Sequence, residues 1–387
     1  MIQRTISLPD REGFFLFGPR GTGKTTLLRQ TLPAARTCFI DLLSPMEEDL
    51  FARHPEELEQ RIAALPPDTE WVVIDEVQKV PRLLDVVHRQ IENHGTRFVL
   101  TGSSGRKLRR GASNLLAGRV FMRHLHPFTS TELGASFNLD DALQYGTLPR
   151  VTQLTSAAEK ADFLRTYALV YLKEEIIAEQ LVRGVDPFRQ FLEVAAQCNG
   201  RIVNFSRIAQ DVGVDTKTVQ SYFSILEDTL VGLLLPAFQR SVRKRQRANP
   251  KFYFFDPGVK RALDRTVAVP LVESTYAYAD AFEHFLIVEI MRLASYHQPD
   301  WRFSYLCTKD DAEIDLIIER PGRALTLVEI KSASRVGEAE TRALQRFVTD
   351  LQPCAAFCLS RDPHLKRIGA VTCLPWQEGL ATLGLPE

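Results

Sequence analysis

No Cys-x-x-Cys pair occurs in the 387 residues; the cysteines stand apart at Cys38, Cys198, Cys307, Cys354, Cys358 and Cys373. That spacing excludes a zinc ribbon. The apolar run CAAFCL around Cys354 and Cys358 reads as two reduced, buried thiols. Long apolar runs are also missing: LVGLLLPAF at 230–238 is too short to span a bilayer and contains a proline. The opening MIQRTISLPDREG lacks the apolar core of a signal peptide, so the expectation is a cytoplasmic protein with no membrane partner. Neither sign of charge prevails, with 48 basic and 48 acidic residues, so any polyanion site must be a local patch. There is no internal repeat and no low-complexity tract. A content of 45% hydrophobic and 25% charged residues excludes disorder and fibres, and the length calls for about two to four domains.

What is present begins with alternation. FFLF, TCFIDLL, WVVIDEV, RFVLTGSS and RVFMRHLHPF are apolar runs separated by helical patterns such as TTLLRQTL and LLDVVHRQIENH. Such a series predicts a parallel sheet covered on both faces. From about 129 to 185 the pattern turns helical, with the long stretch EKADFLRTYALVYLKEEIIAEQLV. Residues 186–256 read as a small helical unit ending in the strand KFYFFD. Beyond it, a helix around DAFEHFLIVEIMRLASY leads into the strands RFSYLC, EIDLIIE, LTLVEIK and CAAFCLS, with the helix EAETRALQRFVTDL before the last.

GPRGTGKT at 18–25 fits G-x-x-x-x-G-K-[ST] between a strand and a helix, the context that makes the match a site. Gly18, Gly21 and Gly23 let the backbone amides face phosphate oxygens, and the helix N-terminus adds its dipole. The binding stretch is Gly18, Pro19, Arg20, Gly21, Thr22, Gly23, Lys24, Thr25 and Thr26. Lys24 is expected to reach the β- and γ-phosphates of ATP, and Thr25 to hold Mg2+. In WVVIDE, Asp75 and Glu76 emerge at the C-terminal end of a strand, where open α/β sheets bind ligands. Asp75 suits the outer magnesium sphere and Glu76 the polarising of water, a pair that favours hydrolysis over a kinase. FVLTGSS ends in Thr101, Ser103 and Ser104, hydroxyls placed to sense the γ-phosphate. Arg119 follows the cluster Arg106, Lys107, Arg109 and Arg110; it reads either as an arginine finger or as a surface arginine. The histidines are dispersed, and His124 and His126 read as structural.

In the middle, VNFSRIAQDVGVDTKTVQSYFSILEDTLV reads as helix, a turn at Gly213, and helix, with Asp215 as N-cap. Val219, Tyr222, Phe223 and Leu226 form its apolar face, leaving Lys217, Gln220 and Ser221 exposed. Next comes QRSVRKRQRANPK, with Arg240, Arg243, Lys244, Arg245, Arg247 and Lys251, and no acid between Asp228 and Asp256. Such a ribbon beside a helix-turn-helix suits the wing of a winged helix on a DNA backbone; a module for packing or subunit contact is the alternative.

Near the end, LTLVEIKSAS puts Glu329 and Lys331 on one face of a strand. In AEIDLII, Glu313 and Asp315 share a face likewise, and the preceding helix carries Glu283. This arrangement resembles the PD-(D/E)xK nuclease superfamily. The resemblance implies Asp315 and Glu329 as ligands of a second divalent metal, Glu283 completing the shell, and Lys331 positioning water or stabilising charge. The proline-aspartate half of the textual motif is absent, EID standing in its place. A salt-bridged strand face is the plainer alternative.

GPRGTGKTT, VVIDEVQKVP, VLTGSS, LAGRV, HPFTSTEL, GTLPR, FEHFLIVEI, EIDLII and VEIKS together resemble AAA-type ATPases over nearly the whole chain. More narrowly, they resemble a bacterial and archaeal family joining an AAA-like domain to a winged helix and a C-terminal domain of formerly unknown function. Where that family has a double glycine before its LP dipeptide, this chain has GT. The resemblance implies ATP binding and hydrolysis. The expected fold is α/β: a P-loop AAA-like parallel-sheet domain at 1–128, a helical lid at 129–185, a winged helix at 186–256 and a PD-(D/E)xK nuclease-like α/β domain at 257–387. The expected function is an ATP- and Mg2+-dependent, DNA-associated protein, with homo-oligomers compatible. The rival is a nucleotide-driven signalling or assembly switch that binds protein without cleavage; a metabolic kinase is more distant.

Overall fold

Runs of consecutive apolar residues make strands that must be buried on both faces, and the first third of the chain obeys this. The computed structural model describes residues 2–103, 116, 118–171, 185–239, 249–308 and 312–386. It separates into two units, Gln3–Pro127 with Asp228–Val231, and Phe128–Glu227 with Gly232–Glu387.

The first unit is built on strands β1 (Phe14–Phe17), β2 (Thr37–Asp41), β3 (Trp71–Asp75), β4 (Phe98–Gly102) and β5 (Phe121–His124). They form one sheet in the order β2-β3-β4-β1-β5, every pair parallel. Helix α1 (Lys24–Thr31) follows β1, α2 (Pro45–Arg53) and α3 (Glu57–Ala63) follow β2, and α4 (Leu83–His94) follows β3. Every residue of β1, β3 and β4 is buried. Because β1 lies beside β4, and β4 beside β3, the C-terminal ends of these three strands come side by side, with Phe17 opposite Gly102 and Ile74 opposite Leu100. This is the strand edge at which open α/β sheets bind ligands.

The second unit opens with α5 (Ser130–Leu133), α6 (Leu139–Tyr145), α7 (Pro149–Gln153) and α8 (Ala157–Thr166). After α8 the backbone widens into a π-helical turn, Tyr167–Tyr171. Helices α9 (Val185–Gln197), α10 (Phe205–Val212) and α11 (Thr216–Asp228) come next, then the antiparallel pair β6 (Gly232–Leu235) and β7 (Lys251–Phe254). Gly213 ends α10 with φ 73°, and the Asp215 carboxylate accepts the Thr218 amide at 3.0 Å to start α11. Val219, Tyr222, Phe223 and Leu226 of α11 are buried, and the Phe223 ring meets Phe191 and Phe252 edge-on with centroids 4.9 Å apart.

Helices α12 (Pro257–Leu263) and α13 (Tyr276–His297) lead to β8 (Arg302–Cys307), β9 (Glu313–Glu319) and β10 (Leu325–Lys331). Helix α14 (Glu338–Asp350), β11 (Cys354–Ser360), β12 (Lys366–Ile368), β13 (Val371–Pro375) and α15 (Trp376–Leu383) complete the unit. The six strands form a mixed sheet in the order β12-β13-β11-β10-β9-β8, in which β10, β11 and β13 run parallel. One core joins Phe282, Phe285, Leu286 and Leu293 of α13 to Leu316, Val328 and Leu359 of the sheet; it also takes in Leu143 of α6 and Tyr253 of β7. The opposite face packs Leu344 and Phe347 of α14 on Ile317, Leu327 and Cys358. Residues 236–238 run along β8, where the Tyr305 amide donates to Pro236 O at 3.0 Å and the Phe238 amide to Tyr305 O at 2.6 Å.

Buried polar groups bind these segments together. Asp256 is fully buried and accepts the amides of Thr147 (2.9 Å) and Val259 (3.2 Å). Arg292 donates to the Thr147 hydroxyl at 3.0 Å and to the Phe255 carbonyl. Gly146, at φ 72° and ψ −167°, brings the GTLPR backbone so near that a Cβ there would stand 1.9 Å from Asp256 Oδ1.

Candidate nucleotide site and candidate metal centre

The loop after β1 owes its shape to its glycines. Gly21 and Gly23 have φ of 80° and 91°, backbone that side-chain-bearing residues seldom adopt. Gly18 passes so close to Leu125 that a Cβ would lie 2.3 Å from its carbonyl oxygen. Thr22 closes the turn, its amide (3.3 Å) and hydroxyl (2.9 Å) both donating to Pro19 O. Arg4 braces the loop from the N-terminal segment, donating to Thr22 O at 3.2 Å and His126 O at 2.5 Å. Lys24 is buried, with Nζ 2.8 Å from Gly18 O, so its ammonium sits inside the curl. Arg20 and Thr26 are exposed and Pro19 is buried.

The neighbouring strand ends complete the constellation. Thr25 Oγ1 donates to Asp75 Oδ2 at 2.6 Å, joining the start of α1 to the end of β3. Thr101 donates to Asp75 Oδ1, and its oxygen accepts the Glu76 amide at 3.1 Å. Glu76 adopts the left-handed conformation, φ 59° and ψ 47°, and its carboxylate accepts from the Gln78 side-chain amide. The same amide lies 3.2 Å from Ser103 Oγ. Lys24, Thr25, Asp75, Glu76, Thr101 and Ser103 therefore lie together, and a hydroxyl beside an acid suits a hard cation such as Mg2+. Arg119 is exposed and donates to Glu92 of α4, whose carboxyl it draws below the usual range through that hydrogen bond. Ser104 and the basic cluster Arg106, Lys107, Arg109 and Arg110 lie outside the described residues.

Lys217, Gln220 and Ser221 are exposed on α11. Arg240, Arg243, Lys244, Arg245 and Arg247 lie outside the described residues. Lys251, counted above with that basic run, does not face solvent: it is 3% exposed and turned into a cluster of carboxylates. The reason is strand alternation: as the first residue of β7, Lys251 shares a face with Tyr253, and that face packs toward α13 and β9.

The cluster draws on four elements. Asp315 and Glu329 lie one step beyond the Leu316–Val328 pair of β9 and β10. Asp315 Oδ2 accepts the Ile330 amide at 2.7 Å. Glu329 Oε1 is 2.5 Å from Lys331 Nζ, whereas Glu329 Oε2 is buried without a hydrogen-bond partner. Glu283 of α13 accepts from Tyr253 Oη at 2.7 Å and from Lys251 Nζ at 3.4 Å, and Lys251 also pairs with Glu313. Burial, then the charge of its neighbour Glu329, pushes the Asp315 carboxyl well up; burial does the same to Glu329 against the pull of Lys331. Burial would depress the Lys251 ammonium, but Glu283, Asp315 and Glu313 outweigh it and the net shift is upward. Among the described residues, no three His, Cys, Asp or Glu side chains converge as a metal-binding group. Of the expected shell of Glu283, Asp315 and Glu329, Glu283 is engaged by Lys251 and Tyr253, and Glu329 by Lys331.

Comparison with known proteins bears on the unit that holds the first of these sites. Residues 10–134 match the model of an AAA domain. Residues 136–268 and 279–378 match two domains of unknown function. Over 339 residues the chain is 27% identical to an uncharacterized protein of Mycobacterium tuberculosis, covering 87% of this chain and 74% of that one. An uncharacterized protein of Haemophilus influenzae is 22% identical over 322 residues, covering 75% and 77%. Among solved structures, the Aeropyrum pernix ORC1 protein in complex with DNA aligns at TM-score 0.28 and 15% identity, covering 68% of this chain and 89% of that one. Domain III of the Thermotoga maritima replication initiation protein DnaA aligns at 0.25 and 14%, covering 56% and 85%. Both scores are too low for either protein's ligand to bear on this chain. None of the described helices is long and apolar enough to cross a membrane.

Two features of the first unit lay beyond the sequence reading. Gln78 stands two residues after Glu76 in IDEVQ, and only the left-handed turn at Glu76 brings the two side chains together. Arg4 precedes every recognisable motif, and its bond to Thr22 depends on where the N-terminal segment runs.

Proposed function

We propose that the protein binds and hydrolyses ATP with Mg2+, associates with DNA, and uses the ATP cycle to control a C-terminal domain of nuclease-like architecture. The observation that carries the ATP reading is the 2.6 Å hydrogen bond between Thr25 and Asp75 at the mouth of the glycine loop. It pairs the two groups suited to holding Mg2+, beside amides suited to phosphate. Mg2+, when bound, supplies charge neutralisation at the phosphate oxygens. Lys24 adds its ammonium to the same charge, and Glu76 orients water and takes up its proton, held in place by Gln78. Thr101 and Ser103 bear on the γ-phosphate. Arg119 could act as a finger toward a nucleotide, in its own or a neighbouring copy, only on leaving Glu92.

Steady-state turnover and ATP retention test this reading. Lys24→Ala should lose both; Glu76→Gln should keep ATP while its turnover falls about 100-fold or more. Wild-type turnover in either variant overturns the assignment.

DNA association is supported by Lys217, Gln220 and Ser221 on the exposed face of α11 and by the basic run through Arg243, Lys244, Arg245 and Arg247. A second reading, a nucleotide-driven switch without cleavage, is favoured by the engagement of the C-terminal carboxylates with Lys251 and Lys331. ATPase stimulation by duplex DNA separates the two: stimulation supports the first, and its absence together with no DNA retention supports the second.

A further inference from the structure

The C-terminal cluster contains four carboxylates, Glu283, Glu313, Asp315 and Glu329, and two ammonium groups, Lys251 and Lys331. Lys331 comes from the same strand as Glu329, whereas Lys251 is delivered from outside the sheet by β7. Its backbone is fixed on both sides. The Val203 amide donates to Pro250 O at 2.8 Å, the Tyr305 hydroxyl donates to Asn249 O at 2.6 Å, and Lys251 itself pairs with Leu235 across the hairpin. The Lys251 side chain is equally confined, pairing with Glu313 and Glu283 and lying 5.7 Å from the centroid of the Tyr305 ring. A buried ammonium needs such partners, and here they are the acids that a divalent metal would use.

A metal ion at these carboxylates would meet two obstacles. One of the two Glu283 carboxylate oxygens, Oε1, already accepts from Tyr253 and Lys251. A dication beside a fixed ammonium is also repelled in an interior that screens poorly. We infer that Lys251 is the resident cation of this cluster and takes the place of a divalent metal, so that the folded chain binds none there. The inference concerns the C-terminal domain alone and is independent of the ATP reading.

Mn2+ binding to the full, nucleotide-free chain, followed by electron paramagnetic resonance, tests it. Wild type and Glu329→Gln should bind Mn2+ alike, because any ion held by Thr25 and Asp75 is common to both. Lys251→Gln should gain an ion, tighter by at least ~10-fold, that the double variant Lys251→Gln/Glu329→Gln lacks; Lys251→Arg should gain none. An ion bound by wild type but not by Glu329→Gln overturns the inference, as does a folded Lys251→Gln with no gain. Should Lys251→Gln not fold, labelling of the wild-type chain decides. Lys251 should resist amine acetylation in millimolar Mn2+ as it does without it, and acetylation that rises with Mn2+ overturns the inference.

Discussion

Glu76 combines two properties seldom found in one residue: a left-handed backbone and a carboxylate held by a neighbouring amide. A non-glycine residue in that conformation costs on the order of 1–2 kcal/mol, so its surroundings must hold it there. Gln78 does so through its bonds to Glu76 and Ser103. Gln78→Ala should therefore lower kcat by about 10-fold and leave KM for ATP near wild type, the pattern of lost positioning. Glu289 of α13 yields a pH prediction. It is fully buried, accepts from the Ser130 amide (2.6 Å) and hydroxyl (2.7 Å), and leaves its second oxygen without a hydrogen bond, 3.9 Å from the Arg292 guanidinium. Burial raises its carboxyl above the ordinary 4.5, only partly offset by Arg292. A raised carboxyl binds more protons folded than unfolded, so its stabilisation is complete below about pH 4.5 and is lost as pH rises through the folded value. Glu289→Gln should match wild type in melting temperature near pH 4 and exceed it at pH 8; equal melting temperatures at pH 8 would refute this. At this scale the sequence discloses Lys24, Thr25, Asp75 and Glu76, whose spacing is fixed by a local loop and a single strand. It does not disclose Gln78 or the inward turn of Lys251, because both depend on a backbone conformation or a packing face set by distant segments.

Among elements, the glycine loop with α1 and the helix pair α10 and α11 follow from local rules: positive-φ glycines, a capping aspartate and a helical apolar face. These were legible. So were β8 to β11, whose short apolar runs stand out in the sequence. Strands β12 and β13 were not, since β12 has only three residues and two are basic. The GTLPR motif gains its explanation only in the fold, where Gly146 meets Asp256. Gly146→Ala would force a Cβ against that buried carboxylate, in a backbone region that glycine alone readily occupies. The expected loss is about 3 kcal/mol or more, read as a lower denaturant midpoint with an unchanged slope. For α11, DNA association predicts that Lys217→Ala flattens the salt dependence of duplex retention by about one unit of slope; Gln220→Ala, removing no charge, should leave the slope alone.

For the molecule as a whole, the sequence foretold a nucleotide domain followed by further α/β structure. In the second unit α6, the β6–β7 hairpin, α13 and the six-stranded sheet share one apolar core. Cores of that kind arise from contacts between segments more than a hundred residues apart, which periodicity does not report. The sheet edges in that unit carry a last consequence. At one edge β8 already receives backbone hydrogen bonds from residues 236–238, and at the other β12 is short and bears Lys366 and Arg367. Neither edge offers a long, flat, uncharged ladder to an incoming strand, so this domain is guarded against strand addition and the aggregation that follows from it.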